Sequence, residues 1–311
     1  MQIVADALSH IEIGSPITSG NLTMFPLLIA KEDGPDYLTL DEAIAQGIVT
    51  IKEISESGSV PELRFVNNGD LSVLLMDGEE LIGAKQNRIL NLTILAAARA
   101  ELKIPVSCVE RGRWSYRSEA FAAAPRAQYA GARARKMSAV SSSLRESGHR
   151  VSDQQQVWQD IDGILCDLAV HSPTSAMSDI YDSYSNDLDE SVQAFAAVEG
   201  QAGAVFAING EVIGLDLFDS ASTFRKLLPK LVRSYALEAL ARRKATDKSE
   251  APQEAAAHEL LSSVSKAKAE CFAAIGEGED VRIQGTHLSG AALVARGRLI
   301  HLCGFRVKTV Q

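Results

Sequence analysis

The sequence predicts an α+β protein, and three observations carry that prediction. Apolar runs of strand length dominate residues 20–110, a stretch of helical periodicity follows, and strand-like runs return from Asp280 onward. These elements do not alternate regularly between strand and helix, which disfavours a doubly wound parallel sheet. The expected architecture is largely antiparallel sheet built from two strand-rich segments, with a helical middle and long C-terminal helices. It is expected to form one unit over residues 1–311: 1–116 β-rich, 117–200 mostly helical, and 201–311 holding a hairpin, two helices and the final strands.

Residues 1–35 read as a docking arm and a strand, Leu22–Ala30, entered through Gly20-Asn21. Thr39, with Glu42 three places on, fits a capping box that starts a helix Asp41–Gln46, stopped at Gly47. Ile48–Ile54 and Leu63–Val66 read as short strands around a turn at Gly58–Pro61. Asn67-Asn68-Gly69-Asp70 is a turn signal, and Leu71–Met76, Ile89–Ala98 and Ile104–Val109 read as strands. Asp77-Gly78 is a hairpin signal, with Gly83 closing the strand after it. Residues 20–110 are thus expected as an antiparallel meander with one small helix.

Ser118–Gly148 is rich in Ala, Arg and Ser, which predicts a mobile loop and a short helix around Gln128–Leu144. Ser152-Asp153 can cap a helix through Val170, with Val157, Trp158, Ile161, Leu165 and Leu168 at helical spacing. Thr174–Tyr184 and Asp187–Gly200 read as further helices. Ala204–Ile208 and Glu211–Leu217 flank Asn209-Gly210, which selects a type I′ hairpin turn. Asp219 or Ser220 can cap a helix Phe224–Arg243, with Pro229 near its start. A polar linker, Lys244–Gln253, leads to a helix Glu254–Ala274, and the chain ends in strands Asp280–Gln284, Ala291–Ala295 and Leu299–Phe305. These late strands are expected to join the first sheet.

A hydrophobic content of 46% against 23% charged residues supplies ample core for a globular protein. No window reaches the length of a membrane-spanning helix, and the first residues lack a basic segment followed by an apolar one. Cys108, Cys166, Cys271 and Cys303 are scattered, with neither a disulfide framework nor zinc spacing, so the expected compartment is the cytoplasm. The formal net charge of −9 argues against general affinity for nucleic acid or anionic lipid. Between Arg111 and Lys136, however, lie Arg111, Arg113, Arg117, Arg126, Arg133, Arg135 and Lys136 against the single acid Glu119. Such a region suits a small anionic ligand, or else is a solvated basic face.

Polar clusters crowd the strands between Asp70 and Tyr116, and burying them is costly unless they are paired or serve a ligand. Glu79 and Glu80 are adjacent on a strand, so at most one enters a given site. Glu80 and Glu110 are the candidate acid/base carboxylates, with structural ion pairing as the alternative. Lys85, Gln86, Asn87 and Arg88 offer amide and cationic donors suited to hydroxyls and phosphate, and Arg111 and Arg113 add two forks. Trp114 either stacks on a ring or caps the sheet. Cys108, beside these arginines, is a nucleophile only with a lowered pKa and a base, and otherwise a buried thiol. His287 and His301 are possible bases or structural histidines. No metal-ligand spacing, P-loop or dinucleotide fingerprint occurs, so neither a metal nor a cofactor is expected.

The run GEELIGAKQNRILN…IPVSCVERGRW resembles the ARG and Rhodanese-Phosphatase-superfamily-associated protein domain family. GNLTMFPL, DYLTLDEA, GSVPEL, SDQQQVW, Ser172–Met177 and GAALV…LIHLCGF extend the resemblance over nearly the full chain. The resemblance implies association with ADP-ribosylglycohydrolases and a place in NAD and ADP-ribose metabolism, but it assigns no catalytic roles. It and the residues together point to a protein binding an ADP-ribose-like or other phosphorylated nucleotide in a cleft lined by 79–88 and 108–114. Hydrolysis of that ligand, a non-catalytic sensor or adaptor, and a protein-interaction scaffold are the alternatives.

Overall fold

A computed structural model describes residues 2–30, 34–55, 61–243 and 254–307. Helix and strand occur in similar amounts and the sheets are mostly antiparallel, as an α+β chain requires. In chain order the first elements are α1 (Gln2–Ser9), β1 (Glu12–Ile13), β2 (Ile17–Ser19), β3 (Leu22–Leu28), β4 (Tyr37–Thr39) and α2 (Leu40–Ala45). Then come β5 (Val49–Glu53), β6 (Glu62–Asn67), β7 (Ser72–Leu75), β8 (Glu79–Gly83), β9 (Arg88–Leu90), β10 (Ile94–Ala96), β11 (Glu101–Cys108) and β12 (Phe121–Ala127). The middle holds α3 (Ala130–Ser147), α4 (Gln154–Asp167), α5 (Met177–Ser183) and α6 (Ser185–Ala194). The remainder is β13 (Gln201–Ile208), β14 (Glu211–Phe218), α7 (Ala221–Ala241), α8 (Glu254–Lys266), β15 (Lys268–Ala273), β16 (Glu279–Gly285), β17 (Leu288–Ala295) and β18 (Arg298–Arg306).

The largest sheet has the order β1-β3-β13-β14-β18-β17-β16-β15, with β2 also on β3. Alternate strand residues face opposite sides. Phe25, Leu27, Val205, Leu215 and Leu302 pack with Val4 and Leu8 of α1 and with Leu260 and Val264 of α8. Met24, Ala204, Phe206 and Phe305 pack on the other side with Met137 of α3 and Leu227, Leu231 and Tyr235 of α7. The Asn209-Gly210 turn joins β13 and β14, both residues having positive φ (51° and 80°), as a type I′ turn needs.

The first strand-rich segment divides differently. Only β1–β3 belong to the large sheet. A six-stranded sheet, β12-β8-β9-β11-β6-β5, packs against a three-stranded one, β10-β7-β4, through Leu81, Leu90, Ile104 and Phe65 on one side and Val73, Leu75 and Ile94 on the other. The late strands thus join β3 through β13 and β14, and not the block around Glu79.

Several sequence expectations require correction. The Asp77-Gly78 turn forms, but β7 and β8 lie in different sheets, so no hairpin results, and β4 pairs with β7 in parallel. The run Ile89–Ala98 breaks into β9 and β10 at Asn91–Thr93. There Ser107 donates to Asn91 Oδ1 (2.6 Å) and the Asp77 N–H donates to Thr93 Oγ1 (3.1 Å). Side-chain bonds therefore replace the ladder where the chain crosses between sheets. The N-terminal arm is the helix α1, whose Val4 and Leu8 are buried. The expected mobile stretch is β12 and the long helix α3, in which small Ala and Ser residues permit close packing and Arg133 and Lys136 are buried. The helix predicted over Glu254–Ala274 ends at Lys266, and Lys268–Ala273 becomes an edge strand held by its backbone pairing to β16. α4 is capped by Asp153, α7 by Ser220, and Pro229 lies within α7 rather than at its start. The Thr39–Glu42 capping box forms as expected. Residues 58–60 of the predicted turn and the whole Lys244–Gln253 linker lie outside the described residues. Among the described residues, no helix is long and apolar enough to cross a membrane.

Candidate functional site around the Glu79–Trp114 block

Strand β8 sends its two acids to opposite sides, each into a buried ion pair. Glu79 Oε1 accepts from Lys230 Nζ at 2.6 Å and Oε2 accepts from the Met76 N–H at 2.7 Å, while Lys230 also meets Asp41. Burial works to lower the Lys230 pKa, but Glu79 and Asp41 together raise it above its ordinary value. Glu80 accepts from Arg126 Nε and, at 3.2 Å, from Asn87 Nδ2, while Arg126 also donates to Asp182 at 2.9 Å. Burial pushes the Glu80 carboxyl up, against the pull of Arg126 and Asn87.

Asn87 is the junction of the cluster. Its Oδ1 accepts from Arg113 Nη2 at 2.9 Å, and Arg113 Nε donates to Glu110 Oε2 at 2.6 Å. Thr174 donates to the other Glu110 oxygen at 3.2 Å, and the Gln86 amide donates to the Glu110 carbonyl. Gln86 Oε1 in turn accepts from Arg88 Nη1 at 2.9 Å. One continuous network therefore gathers Glu80, Gln86, Asn87, Arg88, Glu110 and Arg113, with Arg126, Asp182 and Thr174 added. Glu79 is excluded from it by the alternation of β8.

Arg88 is the exception to this satisfaction. Its guanidinium is wholly buried, and Nη2 stands 3.6 Å from Glu53 Oε1, beyond hydrogen-bond range. Arg88 Nε and Nη2 and both Glu53 oxygens have no hydrogen-bond partner. Over this guanidinium lies the Trp114 ring, 5.6 Å from centroid to Arg88 Cζ and 5.6 Å to Lys85 Nζ. Trp114 is 50% and Tyr116 62% exposed, on a segment without helix or strand that also carries the exposed Arg111 and Arg117. Arg111 pairs with Asp162 at 3.0 Å, away from the buried network. Cys108 adjoins Arg88 and Glu53, and burial raises its thiol to about 11 despite the arginine.

The two histidines lie elsewhere. His287 occupies an exposed turn between β16 and β17. His301 belongs to a second buried node, with Nε2 3.2 Å from Asp216 Oδ1 and Nδ1 2.7 Å from Thr93 Oγ1. Arg133 grips Asp216 with two donors at 2.7 and 3.1 Å and reaches Asp77 at 3.2 Å, and Lys136 Nζ donates to Asp77 at 2.7 Å. Burial works to raise the Asp216 carboxyl, but Arg133 and His301 hold it below its ordinary value. Ligand atoms of Asp216, His301 and Cys303 lie within 4.8 Å of one another, yet the Asp216 oxygens already serve Arg133, Tyr235 and His301.

Sequence reading missed Glu53, Asp77, Asp216 and Lys230 as members of these networks. Its one signal, the cationic run after Arg111, has a different meaning in the fold. Arg126, Arg133, Arg135 and Lys136 each hold an acid, namely Glu80, Asp216, Asp160 and Asp77, so the run stitches elements together more than it presents charge.

Comparison with curated proteins finds no match, and comparison with solved structures finds none. A comparison with family profiles matches residues 10–305, which include both buried networks and all three sheets. By that match the chain belongs to the ARG and Rhodanese-Phosphatase-superfamily-associated Protein domain family.

Proposed function

We propose that the protein binds a phosphorylated nucleotide of the ADP-ribose type at the face formed by Lys85, Arg111, Trp114 and Tyr116 above Arg88. One observation carries the reading. A buried guanidinium with two donors lacking acceptors lies directly beneath a half-exposed indole. A planar fork matches phosphate or carboxylate oxygens, and an exposed aromatic ring stacks a base. The network of Glu80, Asn87, Arg113 and Glu110 fixes the strands beneath and thereby holds the site in place. The family's association with ADP-ribosylglycohydrolases favours this ligand class. All four cysteines are unpaired, which fits the reducing cytoplasm expected for such a ligand.

Hydrolysis is a second reading, favoured by Glu80, whose buried carboxyl holds its proton more readily than a solvated one; in that reading Glu80 is the acid and Glu110 the base. The test is titration calorimetry with ADP-ribose, NAD and AMP. Trp114→Ala weakens binding about tenfold, the value of one base stack, and leaves the melting temperature unchanged. Arg111→Ala weakens binding less. Failure of all three probes to bind, or equal affinity in both variants, refutes the proposal. Product analysis after incubation with ADP-ribose separates hydrolysis, which Glu110→Gln abolishes, from binding alone.

A further inference from the structure

A cleft of about 390 Å³ opens where the start of α3 and the end of α7 meet the start of β14 and the end of β18. None of the residues of the Glu79–Trp114 block lines it. Its volume lies within the range of about 300–1,000 Å³ typical of small-molecule sites. Val212, Ile213 and Phe305 form an apolar wall, and Arg135, Arg242 and Arg306 stand around it.

We propose that this cleft binds a small organic anion with an apolar body, such as an aryl or alkyl carboxylate or phosphate monoester. The three guanidinium groups decide the sign of the ligand. Their side chains are 46%, 38% and 31% exposed, so each is reachable from the cleft. Each spends only one or two of its five N–H donors on the described residues: Arg135 on Asp160 and Tyr129, Arg242 on Glu238, and Arg306 on Glu259. Partly exposed ion pairs of this kind are weak and can be shared with a ligand. Two acids line the cleft, the exposed Glu211 at the start of β14 and Glu238, so three guanidinium groups stand against two carboxylates; Glu238 is only 5% exposed, and its oxygens already accept from the Gly131 N–H and from Arg242. It therefore orients Arg242 and is poorly placed to receive a cationic ligand. The apolar wall supplies the remaining contact, since burying a ligand's hydrocarbon there removes apolar surface from water.

The test is titration calorimetry of the full chain with phenyl phosphate and 4-phenylbutyrate, and with phenethylamine as the cationic control. Both anions bind and the amine does not. Arg242→Gln and Arg306→Gln each lower anion affinity about tenfold, the value of one charged hydrogen bond. Val212→Trp, which fills the cleft from a partly exposed position, abolishes binding, while Trp114→Ala leaves it unchanged. Preference for the amine, loss of binding in Trp114→Ala, unaltered affinity in both arginine variants, or no binding by either anion overturns the proposal. Melting temperatures of all variants show whether any loss comes from unfolding instead.

Discussion

Replacing Lys230 by Met isolates one buried charge. In the native fold Lys230 Nζ lies 2.6 Å from Glu79 Oε1 and 2.7 Å from Asp41, and Glu79 is fully buried. Methionine keeps the apolar stem and removes the cation, leaving Glu79 with only the Met76 N–H as donor. Breaking a buried pair from one side costs about 3–5 kcal/mol, because the remaining charge is stranded in a low-dielectric site. For 311 residues the unfolding entropy makes each kcal/mol worth about 1.5 °C, so the melting temperature falls by about 5–8 °C. The loss depends on pH with a definite sign. Burial already raises the Glu79 carboxyl above its ordinary value, and without Lys230 it rises further. A group with a raised folded pKa destabilises increasingly as pH climbs past its unfolded value, since the unfolded state gives up the proton more easily. The deficit of Lys230→Met is therefore smaller at pH 5 than at pH 8. Glu79→Gln combined with Lys230→Met removes the stranded charge and recovers most of the stability. Urea unfolding of the wild type and the three variants at both pH values measures this. A deficit that is constant or shrinks from pH 5 to pH 8, or a double variant no better than Lys230→Met alone, refutes the reasoning.

Other outcomes follow from single contacts. Iodoacetamide at neutral pH labels the exposed Cys166 and Cys271 in the native protein and spares Cys108 and Cys303, whose thiols burial pushes upward; peptide mass spectrometry reads the pattern. Gly278→Ala is far more damaging than Gly47→Ala. Both have positive φ, but a Cβ at 278 would stand 2.1 Å from the Val294 carbonyl, whereas one at 47 meets nothing, so Gly47→Ala costs only about 1 kcal/mol in thermal unfolding. Ser220→Ala removes the hydroxyl that caps α7 and costs about 1 kcal/mol by urea titration. Glu110→Gln weakens the grip on the buried Arg113 and lowers the melting temperature, read by thermal unfolding.

The sequence was most legible where the local chemistry leaves one solution. Asn209-Gly210 forms its turn, Thr39 and Glu42 form their box, and the strands around Ile104 and Leu215 lie where their apolar runs put them. It misled where the partner is distant in the chain. Asp77-Gly78 has the composition of a hairpin turn, but β7 finds a better apolar surface on β10 and β4 than on β8. Residues 118–148 lack large apolar side chains because α3 packs closely through Ala and Ser and spends its long residues on Asp77 and Asp216. The polar clusters around Glu80, Asn87, Arg88 and Glu110 were visible as anomalies, and the structure brings them together. Their use of one another, and of Arg126 and Thr174, rests on contacts that span many residues and leave no local pattern.

The position of β18 has a consequence for how the chain comes to be folded at all. This last described strand lies between β14 and β17, in the interior of the largest sheet. Until it leaves the ribosome, β14 lacks its neighbour on that side, and unpaired strand edges recruit other chains. His301 also arrives only with β18, completing the node around Asp216 and Thr93. The largest sheet therefore stays open beside β14 until β18 has emerged, and a holding chaperone acting on that interval would protect it more than one acting after the sheet has closed.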